Sequence, residues 1–126
     1  MAEITSVMTP NPASCCQDAS LQAVANMMIQ HDCGQIPVVD DAGAPVGVVT
    51  DRDIVVRAIA AGRDLSACSA GDVMSTPCRS VDAGTNVRDA VALMEAEKIR
   101  RVPVVDGDGR LVGALHIHDL TRAKVI

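Results

Sequence analysis

The 126-residue sequence contains no Phe, Trp or Tyr, although 48% of it is hydrophobic. Any core is therefore built from Val, Ile, Leu, Met and Ala. No aromatic ring is present to stack on a base, which argues against stacking-based single-strand binding. Positive charge is also scarce: 11 Lys and Arg against 16 Asp and Glu leave a formal net charge of −5, the wrong sign for broad nucleic-acid binding. No apolar run reaches membrane-spanning length. The start, Met1-Ala2-Glu3-Ile4, has neither the basic nor the apolar region of a signal peptide, so a soluble, cytoplasmic protein is expected. The five cysteines (Cys15, Cys16, Cys33, Cys68 and Cys78) include no CxxC pair. An odd count without a secretory signal points to reduced thiols, read first as small buried residues. A redox sensor at Cys15-Cys16 is the alternative. No phosphate loop, dinucleotide fingerprint or nucleophile with a motif-matched His occurs, so no enzyme activity is expected.

What the sequence does hold is a repeat. Gly47-Val48-Val49-Thr50-Asp51-Arg52-Asp53 returns as Gly113-Ala114-Leu115-His116-Ile117-His118-Asp119, 66 residues later. The same spacing pairs Val7-Met8 with Val73-Met74, Met28 with Met94, Pro37-Val38-Val39-Asp40 with Pro103-Val104-Val105-Asp106, and Gly43 with Gly109. The register runs from end to end without a gap, so the chain is two copies of one unit, 1–66 and 67–126. Each copy has about 60 residues, near the size at which a lone core is marginal.

Each copy predicts strand, helix, strand, strand, helix. In the first, residues 1–8 form a short lead-in helix ending near Val7-Met8, and Thr9-Pro10-Asn11-Pro12 is extended, because proline pushes its predecessor out of helical geometry. Ser14-Cys15-Cys16 follows as a short strand. A helix opens after Ser20 with Leu21, Val24, Ala25, Met28 and Ile29 at helical spacing, and Gly34 is its expected stop. Strands over Ile36–Asp40 and Pro45–Val49 flank a turn at Gly43, and a helix runs from Asp51 to about Ala61. A helical crossover suits a parallel first strand pair, and the short turn makes the next pair antiparallel. In the second copy, an extended piece over 77–81 precedes the helix.

Thr50 and Asp53 stand one helical turn apart at a strand-to-helix junction, where a hydroxyl, a carboxylate and free helix N–H groups converge. Thr with an acidic residue three positions on is also the pattern of a reciprocal cap; the two readings are compatible. The element order, the Ile/Val-Pro-Val-Val-Asp strand and the Gly-x-x-Thr-x-x-Asp junction resemble the CBS domain, and two copies in tandem resemble a CBS pair. Within that family the chain is similar to the small free-standing bacterial CBS-pair proteins. The resemblance implies an α+β fold of two β-α-β-β-α motifs packed as one pseudo-two-fold pair. It also implies a non-catalytic regulatory role: binding an adenosyl ligand such as AMP, ADP, ATP, NAD or S-adenosylmethionine in clefts between the motifs.

The resemblance further assigns ribose contact to Thr50 and Asp53, with Val49 before them. The adenine of that cleft is assigned to Cys78 and Arg79, and its phosphates to Arg100 and Arg101. In the second cleft Asp119 is kept, His116 stands where Ser or Thr is usual, and Pro12 and Ala13 line the adenine. The family also implies a homodimer through Ile54, Val55, Ala58, Ile59 and Leu120. A structural or interaction module with empty clefts is the alternative to the sensor. His116-x-His118 places two imidazoles on one strand face without a clear third ligand, so no metal is expected. No cofactor is required, and no nucleic-acid or membrane partner is implied.

Overall fold

The structure, a computed structural model, describes residues 3–123. In chain order it forms β1 (Thr9–Pro10), α1 (Leu21–His31), β2 (Gln35–Val39), β3 (Pro45–Thr50), α2 (Asp51–Asp53), α3 (Ala70–Val73), β4 (Val81–Asp82), α4 (Val87–Glu97), β5 (Arg101–Val105), β6 (Leu111–His116) and α5 (Ile117–Arg122). Short 3-10 turns lie at Ile4–Ser6 and Leu65–Ala67, and a π-helical stretch, Ile54–Ile59, continues from α2. No helix among the described residues is long and apolar enough to cross a membrane.

The chain divides into two compact units whose boundaries do not follow the repeat. One runs from Ala13 to Cys78; the other joins the chain up to Pro12 to the chain from Arg79 onward. Each unit thus takes its lead-in turn from the other copy. In the second unit, β1 pairs antiparallel with β6 through Thr9↔Ala114 and Pro10↔Gly113, giving the order β1-β6-β5-β4. In the 13–78 unit, Ser75 forms an antiparallel bridge to Val48 in β3, β3 pairs with β2, and Cys15 forms a parallel bridge to Val38. The same four positions are filled in the same order. As expected, the pair on each side of a helical crossover is parallel (Val81↔Val104 and Cys15↔Val38) and the hairpin pairs are antiparallel. The expected strand at 14–16 is reduced to the single bridge at Cys15, and the extended piece at 77–81 becomes regular only at Val81.

Two aliphatic cores result. Leu21, Val24, Ile36, Val38, Val49, Ala58 and Val73 fill one, and Ile4, Val87, Ala90, Met94, Val102, Val104, Leu115 and Leu120 the other. Each lead-in is anchored by a methionine over a glycine. Met74 Sδ lies 2.8 Å from where a Cβ on Gly47 would stand, and the Met8 sulfur occupies the corresponding position at Gly113. Ser20 caps α1 by accepting from the Ala23 N–H at 3.1 Å, and Asn86 caps α4 by accepting from Asp89 at 2.9 Å, each worth about 1 kcal/mol.

Three expectations are corrected. α1 stops not at Gly34 but at Asp32, which takes the left-handed conformation with φ 48°, as Lys98 does after α4 with φ 55°. Gly34 serves close approach instead: a Cβ there would stand 3.1 Å from Asp51 Oδ2. The helix expected over 51–61 is α-helical for one turn only and then widens, with the Ala60 N–H reaching back five residues to the Val55 carbonyl. The widened turn also reassigns the face implied for dimerisation. Ala58 and Leu120 are core residues, while Val55, Val56 and Ile59 are exposed at 53, 46 and 55%.

Candidate functional site

The β3–α2 junction is a closed reciprocal cap. Thr50 Oγ1 accepts from the Asp53 N–H at 3.0 Å, and Asp53 Oδ2 accepts from the Thr50 N–H at 3.0 Å. The other first-turn donors are also occupied: the Asp51 N–H donates to the Gly34 carbonyl at 3.1 Å and the Arg52 N–H to Asp51 Oδ1 at 2.8 Å. The free N–H groups expected here are therefore absent, because the close approach of Gly34 supplies a carbonyl the repeat pattern does not reveal. Asp53 is 7% exposed, and a buried carboxylate requires partners. It has two beyond the cap. The Ser75 hydroxyl donates to both oxygens, at 2.9 Å to Oδ1 and 3.1 Å to Oδ2, and Arg57 Nε lies 3.6 Å from Oδ1. Arg57 also donates through Nη1 to the Met74 carbonyl at 3.1 Å. Gln35, directly across the ladder from Thr50, keeps a buried Oε1 with no hydrogen-bond partner.

The β6–α5 junction repeats the cap with different chemistry. Asp119 Oδ2 accepts from the His116 N–H at 2.9 Å, and His116 Nδ1 accepts from the His118 N–H at 3.0 Å. Arg122 pairs with Asp119 Oδ1. Arg101, across the ladder from His116, keeps a buried Nε with no partner; Arg100 is exposed, and its carbonyl accepts from the Ile117 N–H at 2.8 Å. Burial foremost, then the adjacent His118 and the Arg101 and Arg100 cations, hold His116 below the ordinary histidine pKa against the pull of Asp119. An imidazole that accepts at Nδ1 is neutral. The cap is therefore acid-sensitive. The unfolded state takes up this proton more readily than the folded state, so the stability it contributes is present above about pH 6.5 and lost as pH falls below it. Thermal melts from pH 8 to 5 should show a smaller acid loss in His116→Asn, since Asn keeps a capping acceptor that does not titrate.

The 13–78 unit thus gathers Thr50, Asp53, Val49, Ala13 and Cys78, and the other unit Pro12, Arg79, Arg100, Arg101, His116 and Asp119. The Val49 side chain is fully buried in the core. Cys78 is half-buried and burial raises its thiol pKa, while Arg79 lies 3.9 Å from Glu97. Cys15 is raised to about 11 by burial and by Cys16, far from the thiolate that redox chemistry needs. Sequence reasoning missed Ser75 and Arg57. A signal for Ser75 existed, because Val7-Met8-Thr9 and Val73-Met74-Ser75 both carry a hydroxyl after the methionine.

A family model for the CBS domain matches residues 3–59 and again 70–126. The chain belongs to the CBS-domain family. Among CBS relatives, hypoxic response protein 1 of Mycobacterium tuberculosis is 37% identical over 103 residues, which cover 82% of this chain and 71% of that protein. An uncharacterised protein of Methanopyrus kandleri is 33% identical over 101 residues, 80% of this chain, and the chain spans only 52% of its length. The crystal structure of Hypoxic Response Protein I, with two coordinated zinc ions, superimposes with a TM-score of 0.88 at 32% identity, covering 96% of this chain and 98% of that one. The structure of CBSX2 in complex with AMP superimposes with a TM-score of 0.87 at 29% identity, covering 99 and 97%. Among the described residues of this CBS pair, no group of three or more His, Cys, Asp or Glu is placed to hold a metal ion.

Proposed function

We propose that this CBS pair is a non-catalytic regulatory module that binds an adenosyl ligand of the AMP class, with Asp53 accepting from the ribose hydroxyls beside Thr50. The observation that carries the proposal is the fixed carboxylate at each strand-to-helix junction, Asp53 and Asp119, locked by its own cap in one orientation. A carboxylate held before the ligand arrives saves the ordering cost of binding. The AMP complex of a structural neighbour supports the same ligand class. In the unit with Asp119, the exposed Arg100 offers a cation to a phosphate, next to Arg101, whose buried Nε has no hydrogen-bond partner.

Scanning calorimetry against AMP, ADP, ATP, NAD and S-adenosylmethionine tests the proposal. A ligand at 100 times its Kd stabilises the fold by about 2.7 kcal/mol, so a saturable rise of several degrees is expected with at least one compound; no rise with any of them overturns it. Val55, Val56 and Ile59, side by side and exposed, favour a second reading, a homodimeric interaction module. Ligand-independent dimers by sedimentation, together with a flat calorimetric screen, would establish it.

A further inference from the structure

Resting on the reading of Asp53 as the ribose-binding carboxylate, we propose that the Ser75 hydroxyl is a built-in competitor that sets the affinity of this site. It occupies the place of a ligand's vicinal diol on Asp53 and must be displaced by it. A vicinal diol binds a carboxylate by donating one hydroxyl to each oxygen. Ser75 Oγ, at 2.9 and 3.1 Å from the two oxygens, already lies between them. Asp53 is 7% exposed, with its remaining contacts taken by the Thr50 N–H and by Arg57. The edge shared by both oxygens is therefore reached only where Ser75 now stands.

Ser75 is placed there firmly. Its N–H donates to the Val48 carbonyl at 2.8 Å, and its own carbonyl accepts from the Val48 N–H at 3.1 Å. Arg57 ties the preceding Met74 carbonyl to the same helix. The residue itself is only half-buried, so a displaced hydroxyl can be hydrated. The other unit holds its carboxylate differently. Thr9 is the equivalent of Ser75, and the Asp119 carboxylate is held instead by Arg122 and the His116 N–H. A ligand that engages Asp53 through a single hydroxyl gains too little to displace a charge-assisted hydrogen bond, whereas a ribose with both hydroxyls replaces one donor by two. Ser75 thereby raises the threshold for binding any diol through Asp53 and narrows the affinity advantage of a ribonucleotide over its dideoxy analogue.

Titration calorimetry with AMP and with 2′,3′-dideoxy-AMP on wild type, Ser75→Ala and Ser75→Thr tests this. Ser75→Ala should melt lower without ligand yet bind AMP on the order of tenfold tighter, with no gain for the dideoxy compound. Ser75→Thr, which keeps the hydroxyl, should bind AMP as wild type does. AMP binding by Ser75→Ala but not by wild type would also support the proposal. Wild-type binding with equal or weaker affinity in Ser75→Ala overturns the role of Ser75 while leaving the ligand assignment standing. No binding by any of the three proteins overturns both.

Discussion

Asp53→Asn is expected to abolish the rise in melting temperature proposed for wild type with AMP, while the ligand-free protein stays folded. The two parts rest on different atoms. In the fold, Asp53 accepts from the Thr50 N–H, and an asparagine carbonyl oxygen can keep that bond. For a ribose, the side chain must accept through both oxygens with a negative charge, and asparagine turns one acceptor into a donor facing two hydroxyls. Hydrogen bonds to a charged group contribute about 1.5–3 kcal/mol each, so losing two of them takes a micromolar ligand out of the measurable range. Alanine at both Thr50 and Asp53 is a poorer probe. It removes both arms of the cap, at about 1 kcal/mol each, and leaves the Ser75 hydroxyl and Arg57 without their acceptor. Calorimetry of the Asn variant with and without AMP decides the matter; an undiminished rise would remove Asp53 from the site.

Gly47→Val is expected to lower the melting temperature substantially, and Met74→Ala to return part of the loss. A Cβ at residue 47 would stand 2.8 Å from Met74 Sδ and 3.0 Å from the Ser75 carbonyl oxygen. The thioether can swing away, but the carbonyl cannot, because it accepts from the Val48 N–H in the bridge that holds the lead-in. Overpacking of this kind costs about 1–3 kcal/mol, or roughly 4–12 °C at about 4 °C per kcal/mol. The two substitutions meet in one contact, so their effects should be non-additive. Melts of the two single variants and the double variant give the coupling directly. Simple additivity would mean that the lead-in does not press on Gly47.

Much of this protein was determined by its sequence alone, because much of it is governed by local physics applied twice. The 66-residue register set the order of elements. Crossover and turn lengths set which strands run parallel. The Thr50-x-x-Asp53 spacing specified a reciprocal cap, since both of its bonds close within one turn. The CBS resemblance rested on those features and the family match bears it out.

What only the tertiary structure decided is which of two similar partners each segment chose. Val7-Met8 and Val73-Met74 suit either sheet equally well on pattern, and the choice that crosses the repeat depends on long-range packing that periodicity does not encode. Ser75 met Asp53 by that route, 22 positions away in sequence. The same holds for the helix after Asp53. Its apolar residues were legible, but not the widened turn, nor which of them it leaves buried (Ala58) and which exposed (Val55, Val56 and Ile59). A local pattern can name the residues that cap, turn and alternate. Where two copies offer equivalent surfaces, the lower free energy of one assembled packing selects the partner.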